Sequence, residues 1–411
     1  MTQQALQKIK AGFSSSLPKG RLHFAAHSHH PWPDVTQAAH NQYWDDSTKY
    51  LDSKWDHIFA EVLPRSRENI AQLLGLKDPS QIIEGINTFE FVSRLLSCLD
   101  FSKPVKILTT DSEFYSFTRL SRRLLENPNI TVDVIATQPF NNFEERFIEK
   151  AKSQKYDFIF SSLVFFNSGF YATKLLEQLL TLTETQVGTS QAKDSRSNVA
   201  SQAKDTPTPI IAVDLYHAYG AIPLELEKYS QKIFFIGGGY KYISAGEGAC
   251  FLTVPKNCQL RPWQTGWFAD YKSLEEGVHD TVSYAPDASR FAGATYDPTP
   301  WYRFNAVAKW WSENNLTPQS IHAHVRDLQK YFIQQLSSHK TLWTPADVVG
   351  FQEHADWAHF LCLKTSSPQQ VVQDLREQDI FVDARGHFVR FGFGYYQSTA
   401  DIDQLFKALA K

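Results

Sequence analysis

Between residues 80 and 255, short and nearly uninterrupted apolar runs alternate with amphipathic stretches. The runs read as strands at Lys106–Thr110, Val132–Ala136, Phe158–Phe166, Ile210–Val213, Ile233–Ile236 and Cys250–Val254. A strand continuous in Ile, Val, Leu and Phe has no polar face to present to water, so it must be covered on both sides. The stretches between them, such as Phe117–Glu126, Phe143–Lys152 and Leu175–Leu182, carry helical spacing. Parallel neighbours need a long crossover connection, and helices supply it. The expected fold class is α/β, with a mostly parallel sheet sandwiched between helices.

After about residue 300 the texture changes. Helical spacing over Ser320–Ser337 is followed by a strand at His359–Lys364 and a helix at Pro368–Gln378. A strand at Phe388–Phe393 and a closing helix at Ile402–Ala410 complete the chain. The expected organisation is an N-terminal segment, 1–50, packed on the small domain or the active site. A large α/β domain covers 51–300 and a small α+β domain 301–411. One polar stretch, 183–209, breaks the alternation. It holds two near-copies, Ser190-Gln-Ala-Lys-Asp194 and Ser201-Gln-Ala-Lys-Asp205, eleven residues apart. Too short and polar for a repeat array, it reads as a solvated insertion between a helix and the next strand.

Composition narrows the function classes. Of 411 residues, 42% are apolar and 21% charged, enough for a large core. The 41 Lys and Arg against 44 Asp and Glu leave a net charge of −3, with no basic footprint for nucleic acid or an anionic membrane. No apolar run approaches the ~20 residues of a membrane span, and the first twenty residues lack the apolar core of a secretory signal. Four scattered cysteines form no CxxC pair. His27, His29 and His30 lie close together, but no Cys/His/Asp cluster accompanies them, so no metal site is expected. A soluble, cytoplasmic protein acting on a small molecule is the expectation.

The chemistry concentrates at two strand ends. Pro209-Ile-Ile-Ala-Val-Asp214 is an apolar run ending in a carboxylate, with His217 three residues on. Lys232-Ile-Phe-Phe-Ile is a second run, leading into Gly237-Gly-Gly-Tyr240-Lys241-Tyr242. Taken singly, Asp214 reads as a helix cap and Lys241 as a loop lysine reaching water. Together, 27 residues apart on consecutive strands, they bring a carboxylate and an amine to one edge of a parallel sheet. That edge is where open α/β sheets bind ligands. Pyridoxal 5'-phosphate requires this pair, a lysine for the Schiff base and an acid for the pyridinium nitrogen.

The Asp-x-x-His segment, Gly-Gly-Tyr-Lys-Tyr and Gly266-Trp267-Phe268 resemble kynureninase, within the class V aminotransferase superfamily of fold-type I pyridoxal phosphate enzymes. The resemblance implies that Lys241 carries the cofactor as a Schiff base and that Asp214 meets the ring nitrogen. His217, Tyr240 and Trp267 would line the cofactor and its phosphate. Asn87 and Thr88, before the helical run Phe91–Leu99, match the phosphate-contacting pair, and Phe114 the aromatic stacked on the ring. Ser116 and Ser168 stand where the family has small hydroxyls. Thr295, in Arg290-Phe-Ala-Gly-Ala-Thr295, lies in the segment that reaches a neighbouring subunit's phosphate. The match implies a homodimer with shared active sites. Arg390, in Asp383-Ala-Arg385-Gly-His-Phe-Val-Arg390, would hold the carboxylate of an amino-acid substrate, and His27 would face the substrate.

The chain departs from that pattern at Phe24–Pro33, after Phe114, where an aspartate is missing, and in a shortened Asp383-to-Arg390 spacing. The leading expectation is kynureninase-like hydrolysis with Cβ–Cγ cleavage. Transamination or C–S and other β-lyase chemistry on another amino acid is the alternative, and a non-catalytic relative of the fold is a third reading. Cysteine desulfurase is disfavoured, because Cys362 falls in an expected strand rather than a loop. Deleting 183–209 is expected to leave the yield of folded protein and cofactor uptake nearly unchanged, as read by gel filtration and visible absorbance. Loss of folded protein would refute the reading of this stretch as an insertion.

Overall fold

A computed structural model of the chain describes residues 1–184, 209–275, 277 and 281–410. Nearly all of the 183–209 insertion therefore lies outside the described residues. The strands in chain order are β1 (Leu22–His23), β2 (Ile82–Gly85), β3 (Val105–Thr110), β4 (Ile130–Ile135), β5 (Phe158–Ser162) and β6 (Ile210–Asp214). They continue as β7 (Phe234–Gly238), β8 (Cys250–Thr253), β9 (Phe360–Lys364), β10 (Ile380–Phe381), β11 (Asp383–Arg385) and β12 (Phe388–Gly392). Seven of them form one sheet in the order β2-β8-β7-β6-β5-β3-β4. The run from β4 through β3, β5 and β6 to β7 is parallel, and only β8 runs against its neighbours.

The uninterrupted apolar runs follow from cover on both faces. Along β6, Ile210 and Ala212 pack into one hydrophobic cluster, and Ile211 and Val213 into the other. The same alternation splits β5, where Phe158 and Phe160 point one way and Ile159 the other. β4 is the outer strand and pays less of this constraint, with Val134 54% exposed. Helices Tyr115–Leu124, Phe143–Ser153 and Leu175–Glu184 lie between the strands in the chain, as the amphipathic spacing implies.

One expected element is shorter than its apolar run. Phe158–Phe166 was expected to be a single strand, but the strand ends at Ser162. The Leu163 amide then bonds Asp214 O at 2.9 Å, and Phe165 N bonds Phe170 O at 3.0 Å. The remaining aromatics leave the sheet, Phe165 packing with Phe143 and Phe170 and Phe166 turning to Phe114, so their apolarity reports loop packing and not a strand. Likewise the helix expected at Phe91–Leu99 runs Thr88–Leu96, because Asn87 caps it through a 2.8 Å bond from Glu90 N.

The C-terminal third builds a separate antiparallel sheet, β11-β12-β9. The N-terminal segment joins that part of the molecule, since β1 pairs in parallel with β10 and Ala25 bridges Gly392. No helix among the described residues is long and apolar enough to cross a membrane. Ile211 is fully buried at the middle of the large sheet. Ile211→Ala should cost about 3 kcal/mol through lost transfer energy and a residual cavity. Urea unfolding followed by circular dichroism would show this as a lowered midpoint with an unchanged slope.

Candidate active site

The parallel strands all end on one side, so every loop leaving a carboxyl end projects into the same space. β3 delivers Glu113 and Phe114, β5 delivers Phe166, and β6 ends in Asp214 with Tyr216 and His217 beyond. β7 leads to Tyr240 and Lys241, and β2 leads to Asn87 and Thr88 at the start of the helix Thr88–Leu96. Residues from all five segments line a cavity of about 360 Å³.

Lys241 and Asp214 set its electrostatics. Burial pushes the Lys241 amine down to about 7. The nearby Asp214 carboxylate opposes that shift, and Arg390 adds to it. Burial raises the Asp214 carboxyl to about 6, against the bond it accepts from Tyr216 N at 2.6 Å and the attraction of Lys241. Lys241 Nζ lies 2.5 Å from His217 Nε2. Burial, Lys241 and Arg390 together hold His217 well below the usual imidazole range, so its neutral ring accepts from the amine. Nζ also sits 5.1 Å from the centre of the Tyr216 ring and 5.9 Å from that of Phe114. The half-exposed Phe114 turns one face to the cavity and meets Phe166 edge-on.

This donor set fits pyridoxal phosphate. A weakly basic amine suits the aldehyde, and a buried carboxylate suits the ring nitrogen. The Phe114 face suits the planar ring, and the start of the Thr88–Leu96 helix offers unpaired N–H groups to the phosphate.

The cavity gathers Asn87, Thr88, Phe114, Ser116, Asp214, His217, Tyr240 and Lys241. Five residues singled out from the sequence lie elsewhere. Ser168 is buried in the Phe165–Phe170 turn, where its Oγ accepts from Phe170 N at 3.2 Å. Trp267, 39% exposed, donates through Nε1 to Thr295 Oγ1 at 3.2 Å. Thr295 borders a different cavity with Glu90 and Arg94. Arg390 and His27 lie behind the pocket wall. Arg390 is buried on β12, donates to Phe166 O at 2.6 Å and pairs with Asp383. His27 is fully enclosed and stacks on Phe360 at 4.6 Å, with Nε2 3.7 Å from Asp383. Neither His27 ring nitrogen nor Arg390 Nε has a hydrogen-bond partner among the described residues. The three histidines also separate, since His29 contacts the Tyr240 hydroxyl and His30 contacts Ser244.

Glu113, Tyr216 and Glu247 escaped sequence reasoning. Glu113 precedes the recognisable Phe114, and its position just past a strand was the available signal. It is buried beside Asp214. Its Oε1 accepts from Thr110 Oγ1 at 2.7 Å and Ser162 N at 3.1 Å, while Oε2 lies 2.6 Å from Ser162 Oγ. Burial raises its carboxyl to about 7, against those hydrogen bonds, with the Asp214 charge adding to the rise. A raised acid binds more protons folded than unfolded, so its ionisation costs stability as pH climbs from the unfolded value through the folded one. Glu113→Gln keeps the shape, and its amide nitrogen can face Ser162 Oγ. The variant should gain stability over wild type as pH rises from about 4.5 to above 7, by on the order of 3 kcal/mol. Thermal melts across that range would check it, and a difference independent of pH would refute it.

Residues 172–405 match the family model described as aminotransferase class-V. The chain belongs to this family. A comparison with curated protein sequences returned no significant match. Among solved structures, the chain is similar to a mutant of C-DES with glycine covalently linked to its PLP cofactor. The TM-score is 0.79 at 17% identity, covering 98% of this chain and 99% of that one. The complex of the cystine C-S lyase C-DES with its product cysteine persulfide gives 0.77 at 16%, over 96% and 98%. The cysteine desulfurase CsdA of Escherichia coli gives 0.76 at 14%, over 98% and 97%. At these identities the likeness is one of fold, and the fold is that of the fold-type I PLP enzymes.

Proposed function

We propose that this chain is a pyridoxal phosphate enzyme that cleaves the C–S bond of a small sulfur-containing amino acid. The observation that carries the proposal is the half-buried Lys241–Asp214 arrangement at the carboxyl ends of β6 and β7. When bound, the cofactor supplies an electron sink for negative charge developing at the substrate Cα. Asp214 would hold the proton on the ring nitrogen, and Phe114 would fix the ring plane. The N–H groups opening the Thr88–Leu96 helix, with Asn87 and Tyr240, would hold the phosphate. His217 would orient the lysine amine through the bond it already makes.

The Lys241 amine, brought near neutrality by burial, is suited to take the Cα proton. The Cβ–S bond then breaks with its electron pair leaving on sulfur. Water hydrolyses the released three-carbon fragment to pyruvate and ammonia. Arg390 and His27 would receive the substrate carboxylate, with Phe166 moving to open their cluster to the cavity.

The cysteines favour release of sulfur as a small molecule over its transfer to the protein. Cys250 reaches the cavity, but burial pushes its thiol up to about 12, and its Sγ faces the Tyr216 hydroxyl at 3.8 Å. Cys98, Cys258 and Cys362 do not line the cavity. Transfer to an enzyme thiol requires a thiolate within reach. Hydrolysis of a kynurenine is the second reading, supported by the sequence segments around Lys241 and by the apolar walls at Ile86, Phe89 and Phe166. Pairing of two copies, which would cover the exposed Trp263, Trp267 and Tyr271, is part of the proposal.

Wild type incubated with pyridoxal phosphate should gain a visible absorption band that Lys241→Ala lacks. With L-cystine it should release pyruvate, and Lys241→Ala should be slower by about 10³-fold. An aromatic acid and alanine from L-kynurenine, without pyruvate from cystine, would replace lysis with hydrolysis. A wild type that binds no cofactor would overturn the reading.

A further inference from the structure

Ser244 closes the turn that presents Lys241. Its amide donates to Lys241 O at 2.9 Å, and its backbone sits at φ +62°. Left-handed backbone is costly for a non-glycine residue, and glycine would take the conformation more readily. Another reason must keep a side chain here, and the hydroxyl supplies one. Ser244 is fully buried, with Oγ 2.8 Å from His30 Nδ1 and 2.9 Å from the Tyr395 hydroxyl. Trp311 Nε1 donates to Tyr395 Oη at 3.3 Å.

Three segments distant in sequence meet at that one oxygen, and a fourth joins them through Tyr395. His30 comes from the N-terminal segment, Tyr395 follows β12, and Trp311 belongs to the helix Thr299–Glu313. Trp311 Nε1 donates into a buried chain of Tyr395 Oη, Ser244 Oγ and His30 Nδ1, and that His30 nitrogen also lies 3.1 Å from Pro31 O. Burial holds His30 down to about 4, against the bond to Pro31 O, which keeps its ring neutral. The His30 and Tyr395 rings stack at 5.1 Å, so the two partners also brace each other.

We propose that Ser244 is a positioning residue for Lys241. Its hydroxyl fastens the lysine turn to the N-terminal segment through His30 and to the C-terminal sheet through Tyr395. The amine is thereby held at the cavity floor against its tendency to reach water. A lysine turn without this tie would let the ammonium seek solvent and regain its proton. The inference rests on Lys241 being the cofactor lysine.

Three variants separate the hydroxyl from the backbone. Ser244→Ala removes the oxygen and keeps the strained φ, whereas Ser244→Gly removes both. Tyr395→Phe removes the partner oxygen and keeps the ring, and it serves if the Ser244 variants fail to fold. The first readout is pyridoxal phosphate affinity, by titration of the visible band. The second is the pH midpoint for acetylation of Lys241 by acetic anhydride in the full-length protein before cofactor is added, read by peptide mass spectrometry. His217, Asp214, Arg390, Asp383 and Arg385 surround the amine and are untouched in every variant, so a changed midpoint reports the amine's position.

Ser244→Ala and Ser244→Gly should both raise the midpoint by about one pH unit and weaken cofactor binding about tenfold, with Tyr395→Phe shifting the same way. Unchanged midpoints in all three variants would overturn the proposal. So would a wild-type midpoint in Ser244→Gly beside a shifted one in Ser244→Ala, because backbone strain would then be the cause. Failure of wild type to take up cofactor would overturn the proposed function instead, and the acetylation midpoint would still decide whether the hydroxyl positions the amine.

Discussion

Lys241 and Asp214 share one cavity in which both are half-buried, and much of the surrounding structure serves to keep both groups there. An ammonium and a carboxylate lose most of their hydration on burial, and each lowers the cost for the other. Mutual attraction does not remove the penalty, so the amine is held near neutrality and the carboxyl is raised. The same imbalance makes the amine reactive. A lysine in water would be protonated and inert at neutral pH, whereas here the fold has shifted that equilibrium before any ligand arrives.

Such a pair can exist only where rigid elements place it. β6 and β7 are adjacent and parallel, with Asp214 opposite Ile236 in register. Neither strand can slide without turning its buried face outward. Glu113, beyond β3, is tied to Ser162 at the end of the intervening β5, itself the register partner of Asp214. Four neighbouring strand ends, β7, β6, β5 and β3, thus carry the floor of the cavity. The stacking aromatic Phe114 follows directly from Glu113, so fixing the buried carboxyl also fixes the ring beside it.

The cavity wall draws on parts of the chain that the sheet does not include. His29 meets Tyr240 at the mouth, His30 braces the lysine turn, and His27 packs against Phe360 on β9. A histidine triplet that looks like a metal-binding run is instead distributed among three jobs in three directions. Phe360 stands between His27 and His217, with the Arg390 guanidinium 5.9 Å from its ring centre, so it links the Arg390–His27 cluster to the lysine site. The active site is therefore a joint product of the large sheet, the C-terminal sheet and the N-terminal segment.

The α/β class, the parallel core and the pairing of Asp214 with Lys241 were all legible in the order of residues along the chain. Hydrophobic runs with no polar face admit few other arrangements, and two strand ends 27 residues apart must meet at one edge. Asn87, Thr88, Phe114, Ser116, His217 and Tyr240 were legible for the same reason, since each lies within a few residues of a strand or helix end. Trp267, Thr295, Ser168, Arg390 and His27 lie at or beyond the limit of that logic. Their place depends on how loops and the second sheet pack, and spacing along the chain does not encode it. Glu113 and Ser244 were silent in the sequence because nothing local distinguishes a buried carboxyl or a bridging hydroxyl. Only the tertiary structure could decide their roles, because burial and hydrogen-bond partners are properties of residues brought together from distant segments.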